Sequence, residues 1–227
     1  MDVSVVMIVR NGARFLPGAI ESVLAQTCPP DEIMLVDGAS TDETTQIAAR
    51  YGVAIEQQPA TGIADARNHG IARTNGELVA FLDCDDRWLP TKLERQSVLF
   101  DVPTQADYSV TMLLRRPAGA GIAIHPVFAD HLASGPVRGL TPSTLVVRRS
   151  VVDRIGLFDG ALGLGCDSDW FARASRLDLR RVDVDEVLVH KILHDANASI
   201  DVASTRRALL CTVRDAVRHQ QRLHRDR

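Results

Sequence analysis

The sequence predicts an α/β fold in which a Rossmann-like, mostly parallel sheet is flanked by helices. Strand-like and helical segments alternate over the first hundred residues, which is the pattern of strand–helix–strand units. The strand-like segments are continuous apolar runs, as in sheets that are buried on both faces. With 227 residues, of which 45% are hydrophobic and 24% charged, the chain is typical of one large globular domain or a domain with an appendage.

Four strands and three helices are expected in the order β-α-β-α-β-α-β before Asp83. The first strand covers residues 3–9, which are mostly β-branched, and a helix with apolar residues at helical spacing follows from residue 16. Ser40 and Glu43 have the spacing of a capping box, which predicts a second helix to about residue 51. The other predicted elements are strands at 33–36, 53–56 and 78–82 and a helix at 63–74.

The pattern is less regular after residue 103. Residues 117–142 are rich in Gly, Pro and Ala, and a stretch of that length is usually functional or partly mobile. Residues 204–227 carry seven Arg against two Asp and predict a basic amphipathic C-terminal helix. The other predicted elements of this part are strands at 108–114, 145–148, 179–182 and 187–191 and a helix at 167–177.

The composition narrows the possible function classes. The net charge is −3 and the pI is near 6.2, which gives no electrostatic reason to bind a nucleic acid. No apolar run approaches the roughly 20 residues of a membrane-spanning helix, and the first residues lack the features of a signal peptide. The four cysteines lie far apart without zinc-ligand spacing, so we expect a reducing, cytoplasmic compartment. The glycine-rich fingerprints of NAD and P-loop ATP sites are absent.

Acidic residues directly follow two of the predicted strands. Asp37 comes after the strand at 33–36, and Asp83 comes after the last strand of the first half. Parallel strands end at the same edge of a sheet, where open α/β folds bind ligands. Asp83, Asp85 and Asp86 stand within four residues, and their negative charges repel one another unless a cation balances them. Carboxylate oxygens suit Mg²⁺ or Mn²⁺; the alternative is a solvated turn with an Asp helix cap.

Six short segments carry motifs in a characteristic order. They are residues 3–11 (Val-Ser-Val-Val-Met-Ile-Val-Arg-Asn), 36–42 (Val-Asp-Gly-Ala-Ser-Thr-Asp), 66–70 (Ala-Arg-Asn-His-Gly), 81–86 (Phe-Leu-Asp-Cys-Asp-Asp), 145–150 (Leu-Val-Val-Arg-Arg-Ser) and 156–159 (Gly-Leu-Phe-Asp). Over roughly residues 2–200 the chain resembles the family 2 glycosyltransferases of the GT-A fold. The resemblance implies an inverting, metal-dependent transfer of a sugar from a nucleotide-diphospho-sugar.

This resemblance divides the chain by function. Residues 1–103 would bind the nucleotide sugar, residues 104–203 would form the acceptor-binding half of the same domain, and residues 204–227 would add the basic helix. In the family the nucleotide lies across the carboxyl edge of the sheet. The expected donor is a UDP-sugar, although Arg10 replaces the usual Tyr and leaves the base open, and the acceptor is unknown.

The resemblance also assigns contacts to the nucleotide. Asp37 would accept a hydrogen bond from the base, and the backbone from Val9 to Asn11 would line it. Arg67 would contact the nucleotide or the diphosphate as a charge-assisted donor, and an exposed helix cation is the alternative for this residue. Asp83 would bind on the ribose side of the nucleotide.

Two residues are implied as metal ligands, Asp85 and His194. The metal would bridge the two phosphates and stabilise the leaving nucleoside diphosphate. His194 lies in a segment similar to the family's His-x-x-Asn-x-Ser, although Ile192 replaces a common Arg and weakens this assignment, and a structural histidine is the alternative. Asp86 is a secondary candidate in the same cluster.

An inverting transfer needs a general base, and Asp167 aligns with the acid that serves as base in the family. The alternative for Asp167 is a helix N-cap, and Asp169 is the second candidate for the base. Cys166 replaces the usual Glu before Asp167. Trp170 and Trp88 each follow an acidic cluster and could stack on a sugar or fill the core.

Partners and alternatives remain open at this stage. The basic helix at 204–227 would pack on the body or on a second copy of the chain, or it would lie on an anionic membrane surface. A nucleotidyltransferase is an alternative activity, although residues 10–14 match its Gly-rich basic loop poorly. A catalytically degenerate nucleotide-sugar-binding protein is the alternative without an activity.

Overall fold

The computed structural model describes residues 1–101, 103–119, 126, 129–197 and 200. The strands in these residues are β1 (Val3–Val9), β2 (Glu32–Asp37), β3 (Ala54–Gln57), β4 (Leu78–Asp83), β5 (Arg87–Trp88), β6 (Tyr108–Pro117), β7 (Val137–Arg138), β8 (Val146–Arg148) and β9 (Arg181–Leu193). The α-helices are α1 (Leu16–Leu24), α2 (Thr44–Arg50), α3 (Ile63–Arg73), α4 (Lys92–Ser97), α5 (Ala129–Ala133), α6 (Arg149–Ile155) and α7 (Cys166–Ala174).

The strands form one sheet in the order β3-β2-β1-β4-β8-β6-β9-β5, with β7 paired to β6. The first four strands run parallel, as the sequence predicts. From β8 onward the sheet is mixed, because β8 runs antiparallel to β4 and β6 while β9 runs parallel to β6. The predicted α/β sheet with flanking helices is therefore confirmed, and its parallel character belongs to the first half of the chain.

The apolar run of β1 is buried on both faces of the sheet. Val5 and Met7 pack in the cluster that contains α1 and α2, whereas Val6 packs in the cluster that contains α3, α6 and α7. Gly70 lets α3 approach closely, because a Cβ at this position would lie 2.3 Å from Val6 Cγ1. Because both faces of this part of the sheet are covered, we expect a ligand to bind at the carboxyl ends of its strands.

The predicted capping box of the second helix is wrong. Helix α2 begins at Thr44, after Glu43, and Glu43 makes no side-chain cap. The Ser40 hydroxyl donates instead to Asp37 Oδ1 at 2.5 Å. At the start of the helix, Asp42 Oδ1 accepts a hydrogen bond from the Thr44 N–H at 3.0 Å.

The second half of the chain departs further from the predictions. The strands expected at 179–182 and 187–191 are parts of one strand, β9, whose register against β6 shifts twice. No prediction covers α4, because Lys92 and Gln96 are buried there and the apolar period is lost. The predicted helix at 204–227 lies outside the described residues. No helix in the described part of the chain has the length and apolar character to span a membrane.

Candidate active site

Three carboxylates meet where β4 ends, as the sequence predicts. Asp83 is the last residue of β4, and the Asp86 N–H donates to the Asp83 carbonyl at 3.0 Å, which closes a tight turn. One oxygen from each of Asp83, Asp85 and Asp86 lies within 4.8 Å of the others. We call these three residues the acid cluster. Carboxylate oxygens are the hard donors that Mg²⁺ and Mn²⁺ prefer.

Asp86 is the buried member of the acid cluster. Its side chain is 0% exposed, and Oδ2 accepts hydrogen bonds from the Ser143 hydroxyl at 2.7 Å and from Lys191 Nζ at 3.2 Å. The Ile192 N–H donates to Oδ1 at 3.3 Å. Burial raises the pKa of Asp86 to about 7, although the Lys191 charge acts in the opposite direction.

Asp85 is held by two residues that follow β9. His194 Nε2 lies 3.2 Å from Asp85 Oδ2, and Asn197 Nδ2 donates to the same oxygen at 2.9 Å. Burial acts to raise the pKa of Asp85, but the hydrogen bond from His194 and the charge of Lys191 outweigh it and hold that pKa below its ordinary value. The predicted metal candidates Asp85 and His194 are therefore in direct contact.

The backbone fixes the tautomer of His194 in this structure. The Ala196 N–H donates to Nδ1 at 3.1 Å, so Nδ1 carries no proton and Nε2 donates to Asp85. The ring also stacks on Phe15, with the two centroids 4.2 Å apart. In this arrangement His194 orients Asp85, and ligation of a metal by Nε2 would require that nitrogen to lose its proton.

Arg67 joins the acid cluster to the predicted base. Its Nη2 lies 2.9 Å from Asp83 Oδ1, and its Nη1 bonds to Asp167 Oδ1. The side chain is 2% exposed and packs over the Phe158 ring, with Cζ 5.4 Å from the centroid. The alternative of an exposed helix cation is therefore wrong.

Asp167 lies in the first turn of α7, one hundred residues after its partner Arg67. Helix α7 begins at Cys166 after Gly165, so the alternative in which Asp167 is the N-cap is wrong. Oδ1 accepts hydrogen bonds from Arg67 and from the Cys166 thiol, and Oδ2 has no hydrogen bond with any described residue. Burial raises the pKa of Asp167, against the charge of Arg67.

The second candidate base and the two tryptophans have structural partners. Asp169 pairs with Arg173 at 2.8 Å, one helical turn along α7. Trp170 is buried against Phe158, and its indole N–H donates to the Gly156 carbonyl. Trp88 is buried as well. Of the two alternatives for these rings, the structure favours core packing.

The predicted base-contacting residues form a second group at the same edge. Asp37 is buried and accepts hydrogen bonds from the Ser40 N–H at 3.0 Å and from Gln57 Nε2 at 3.0 Å. The Asn11 N–H donates to the Ser40 hydroxyl, which ties the turn after Val9 to the turn after Asp37. Strands β2 and β4 both flank β1, so this group lies about 10 Å from the acid cluster. Contacts of Asp37 with a base remain a prediction.

No sequence pattern predicted a role in the site for three of its residues, which are Ser143, Lys191 and Asn197. Ser143 stands in an irregular Pro-containing turn and carries no sequence signal. Asn197 belongs to the segment that resembles the family's His-x-x-Asn-x-Ser, which could have indicated it. Lys191 has a compositional signal, because only two of the 26 basic residues are lysines.

The mixed sheet with an acidic turn after β4 is typical of the GT-A fold. Residues 4–114 match the sequence model described as Glycosyl transferase family 2, so this part of the chain is similar to that family. It is 29% identical over 212 residues to the Uncharacterized glycosyltransferase RT0329 of Rickettsia typhi, with 87% of this chain and 65% of the relative covered. It is 45% identical over 101 residues to the Uncharacterized glycosyltransferase alr2836 of Nostoc, with 42% and 31% covered. The chain thus spans less than two thirds of either relative.

Two solved structures share the fold. TarS 1–349 of S. aureus in complex with UDP-GlcNAc superposes with a TM-score of 0.72 at 20% identity, over 88% of this chain and 61% of that chain. Glucosyl-3-phosphoglycerate synthase of Mycobacterium tuberculosis, in complex with Mn²⁺, UDP-glucose and phosphoglyceric acid, gives a TM-score of 0.71 at 18% identity, over 95% and 79%. These likenesses confirm the predicted GT-A fold.

Proposed function

We propose that this protein is an inverting glycosyltransferase that moves a sugar from a nucleotide-diphospho-sugar to an acceptor nucleophile with the help of a divalent metal. The observation that carries the proposal is the Arg67 bridge between Asp83 and Asp167. It joins a candidate base to the metal-binding carboxylates, although the two lie far apart in sequence. A UDP-sugar is the proposed donor, since both fold neighbours were solved with UDP-sugars.

The metal would be held mainly by Asp85, with Asp83 beside it. A bound Mn²⁺ or Mg²⁺ supplies positive charge to the diphosphate that leaves with the nucleoside. Asp85 is partly exposed and oriented by His194 and Asn197, so its carboxylate is available at the surface of the site. We assign His194 the role of positioning Asp85 in this state.

Asp167 is the proposed general base. The Arg67 guanidinium and the Cys166 thiol fix Oδ1, which leaves Oδ2 to accept the proton of the acceptor hydroxyl. Burial raises the pKa of Asp167, and a raised pKa makes its carboxylate a stronger base than an ordinary exposed Asp. Proton removal from the acceptor strengthens it as a nucleophile on the sugar face opposite the diphosphate.

The nucleoside and the acceptor are assigned to different halves of the chain. We propose that the turns after Val9 and Asp37 receive the nucleoside, with Asn11 and Ser40 holding their shape. We assign the acceptor to residues 104–203, because α7 brings Asp167 to the site from that half. A reducing, cytoplasmic compartment is the proposed location, and it rests on the wide spacing of the cysteines in sequence.

Thermal-shift screening with nucleotides and metals tests the proposal. We expect UDP to raise the Tm when Mn²⁺ or Mg²⁺ is present and to raise it less with EDTA, whereas GDP, dTDP and CMP should act more weakly. Asp85→Asn should remove the metal-dependent part of the shift. The exposed Asp153→Asn is the matched control and should keep it.

Two outcomes would contradict the proposal. If no nucleotide shifts the Tm in a metal-dependent way, the assigned donor site is wrong. If nucleotides bind but neither hydrolysis nor transfer of a UDP-sugar is measurable by NMR, the chain is the binding protein without activity.

A further inference from the structure

Lys191 is brought to the acid cluster by the pairing of β5 with β9. In this antiparallel pair Trp88 lies opposite Val189 and Arg87 lies opposite His190. The next position of the same register places Lys191 opposite Asp86. Lys191 Nζ accordingly lies 3.2 Å from Asp86 Oδ2 and 4.0 Å from Asp83 Oδ2.

The carboxylates of the acid cluster differ in what a metal would have to displace. Asp86 is fully buried, and Lys191, Ser143 and the Ile192 N–H bind its two oxygens. A metal bound to Asp86 would have to replace these donors. Asp85 keeps 20% of its side chain exposed, and both of its side-chain donors bond to Oδ2.

The charges of the site also support different roles for Asp85 and Asp86 in metal binding. The four carboxylates Asp83, Asp85, Asp86 and Asp167 face two cations, the buried Arg67 and the partly exposed Lys191. When all are ionised the formal charge is −2, which one divalent cation balances. Without Lys191 the site would carry one more negative charge, and Asp86 would be buried without a counter-ion.

We propose that Lys191 is a built-in cation of the acid cluster, which withdraws Asp86 from the metal, leaves Asp85 as the metal-facing carboxylate and limits the affinity of the site for divalent cations. The part that concerns the metal rests on the proposed function, whereas the pairing of Lys191 with Asp86 does not. Lys191 is therefore a positioning residue that acts through Asp86.

The proposal gives opposite expectations for two properties of a Lys191→Met variant. Removal of the positive charge beside the metal should tighten Mn²⁺ binding on the order of tenfold. The same change should lower the Tm without metal, because Asp86 then stays buried and unpaired. A Lys191→Met, Asp86→Asn double variant should recover most of that loss, since the two groups compensate each other.

The experiment measures Mn²⁺ binding to the full chain by calorimetry in the presence of UDP, together with the Tm in EDTA. The chain provides a matched control, because Lys92 is the other lysine and its Nζ forms no hydrogen bond or ion pair with the described residues. Lys92→Met should leave the Mn²⁺ affinity unchanged. Asp85→Asn should abolish Mn²⁺ binding, whereas Asp86→Asn, which removes a negative charge but no metal ligand, should weaken it by no more than about tenfold.

Several results would overturn the proposal. Weaker or unchanged Mn²⁺ binding in Lys191→Met contradicts the limiting role, and loss of Mn²⁺ binding in Asp86→Asn contradicts the division of the cluster. If Lys191→Met does not fold, the Asp86→Asn variant and the double variant still decide these points. If the wild-type chain binds no Mn²⁺, both the proposed function and the metal part fail, and the Tm values in EDTA alone decide the Lys191–Asp86 pair.

Discussion

Two ion pairs, each with one buried member, flank Asp83, and they differ in whether the carboxylate keeps an oxygen without a hydrogen bond. Arg67 pairs with Asp167, whose Oδ2 has no hydrogen bond with the described residues. Lys191 pairs with Asp86, whose two oxygens both accept hydrogen bonds from the protein. A carboxylate with a free oxygen can take a proton from a ligand, whereas a saturated one holds its neighbours in place. The comparison thus separates a group suited to chemistry from a group suited to support.

The largest expected effect is a difference in the rate of sugar transfer between variants of Asp167 and Asp86. Asp167→Asn removes the proposed base, so the rate of sugar transfer should fall by roughly 10²-fold or more while donor affinity stays nearly intact. Asp86→Asn keeps the shape and most hydrogen bonds of the supporting group, so the rate should fall by less than about tenfold. Initial rates and donor Kd values with a UDP-sugar measure both effects. Equal losses in the two variants would contradict the assignment.

A second prediction concerns Arg67, which pairs with both Asp83 and Asp167. Arg67→Met leaves Asp167 without its counter-ion and Asp83 with only Lys191, at 4.0 Å, so the free energy of unfolding should fall by about 3 kcal/mol. Arg73, on the same helix, is 55% exposed and pairs with Glu56, so Arg73→Met should change stability by less than about 0.5 kcal/mol. Urea unfolding monitored by circular dichroism measures both. A small effect at Arg67 would mean that the bridge contributes little to the fold.

The sequence predicts the acidic edge because local patterns determine it. Strand β4 is a continuous apolar run, and Asp83 and Asp85 follow it directly, so their place at the carboxyl end needs only the parallel arrangement of the first strands. The resemblance to the family adds Asp167 and Arg67. The direct contact between these two residues depends on the packing of α7 against α3, which no local pattern encodes.

The side chains that bind Asp86 could not be predicted either, because their contacts also depend on tertiary packing. Lys191 meets Asp86 only because β9 pairs with β5, and β5 has two residues and no strand pattern of its own. Ser143 reaches Asp86 from a short turn, 57 residues further along the chain. The capping-box spacing at Ser40 does not produce a capping box either, because the Ser40 hydroxyl bonds to Asp37 and to the Asn11 N–H.

The smallest expected effect concerns Lys92, a buried lysine without a carboxylate partner. Its side chain is fully buried, its Nζ has no hydrogen-bond partner among the described residues, and it lies 4.1 Å from the centroid of the Trp88 ring. Burial lowers the pKa of Lys92 well below its ordinary value, whereas the carboxylates around Lys191 raise the pKa of that lysine. Lys92→Met should therefore stabilise the fold by about 1 kcal/mol at pH 7, opposite in sign to Lys191→Met.

The pH dependence gives this prediction a second measurement. Between the lowered pKa of Lys92 and the ordinary pKa of lysine, the unfolded chain binds a proton that the folded chain does not, so this group makes stability rise with pH. The stability advantage of Lys92→Met over the wild type should shrink accordingly from pH 7 to pH 9.5. An advantage that stays constant or grows would mean that Lys92 is charged in the folded protein, held by the Trp88 ring.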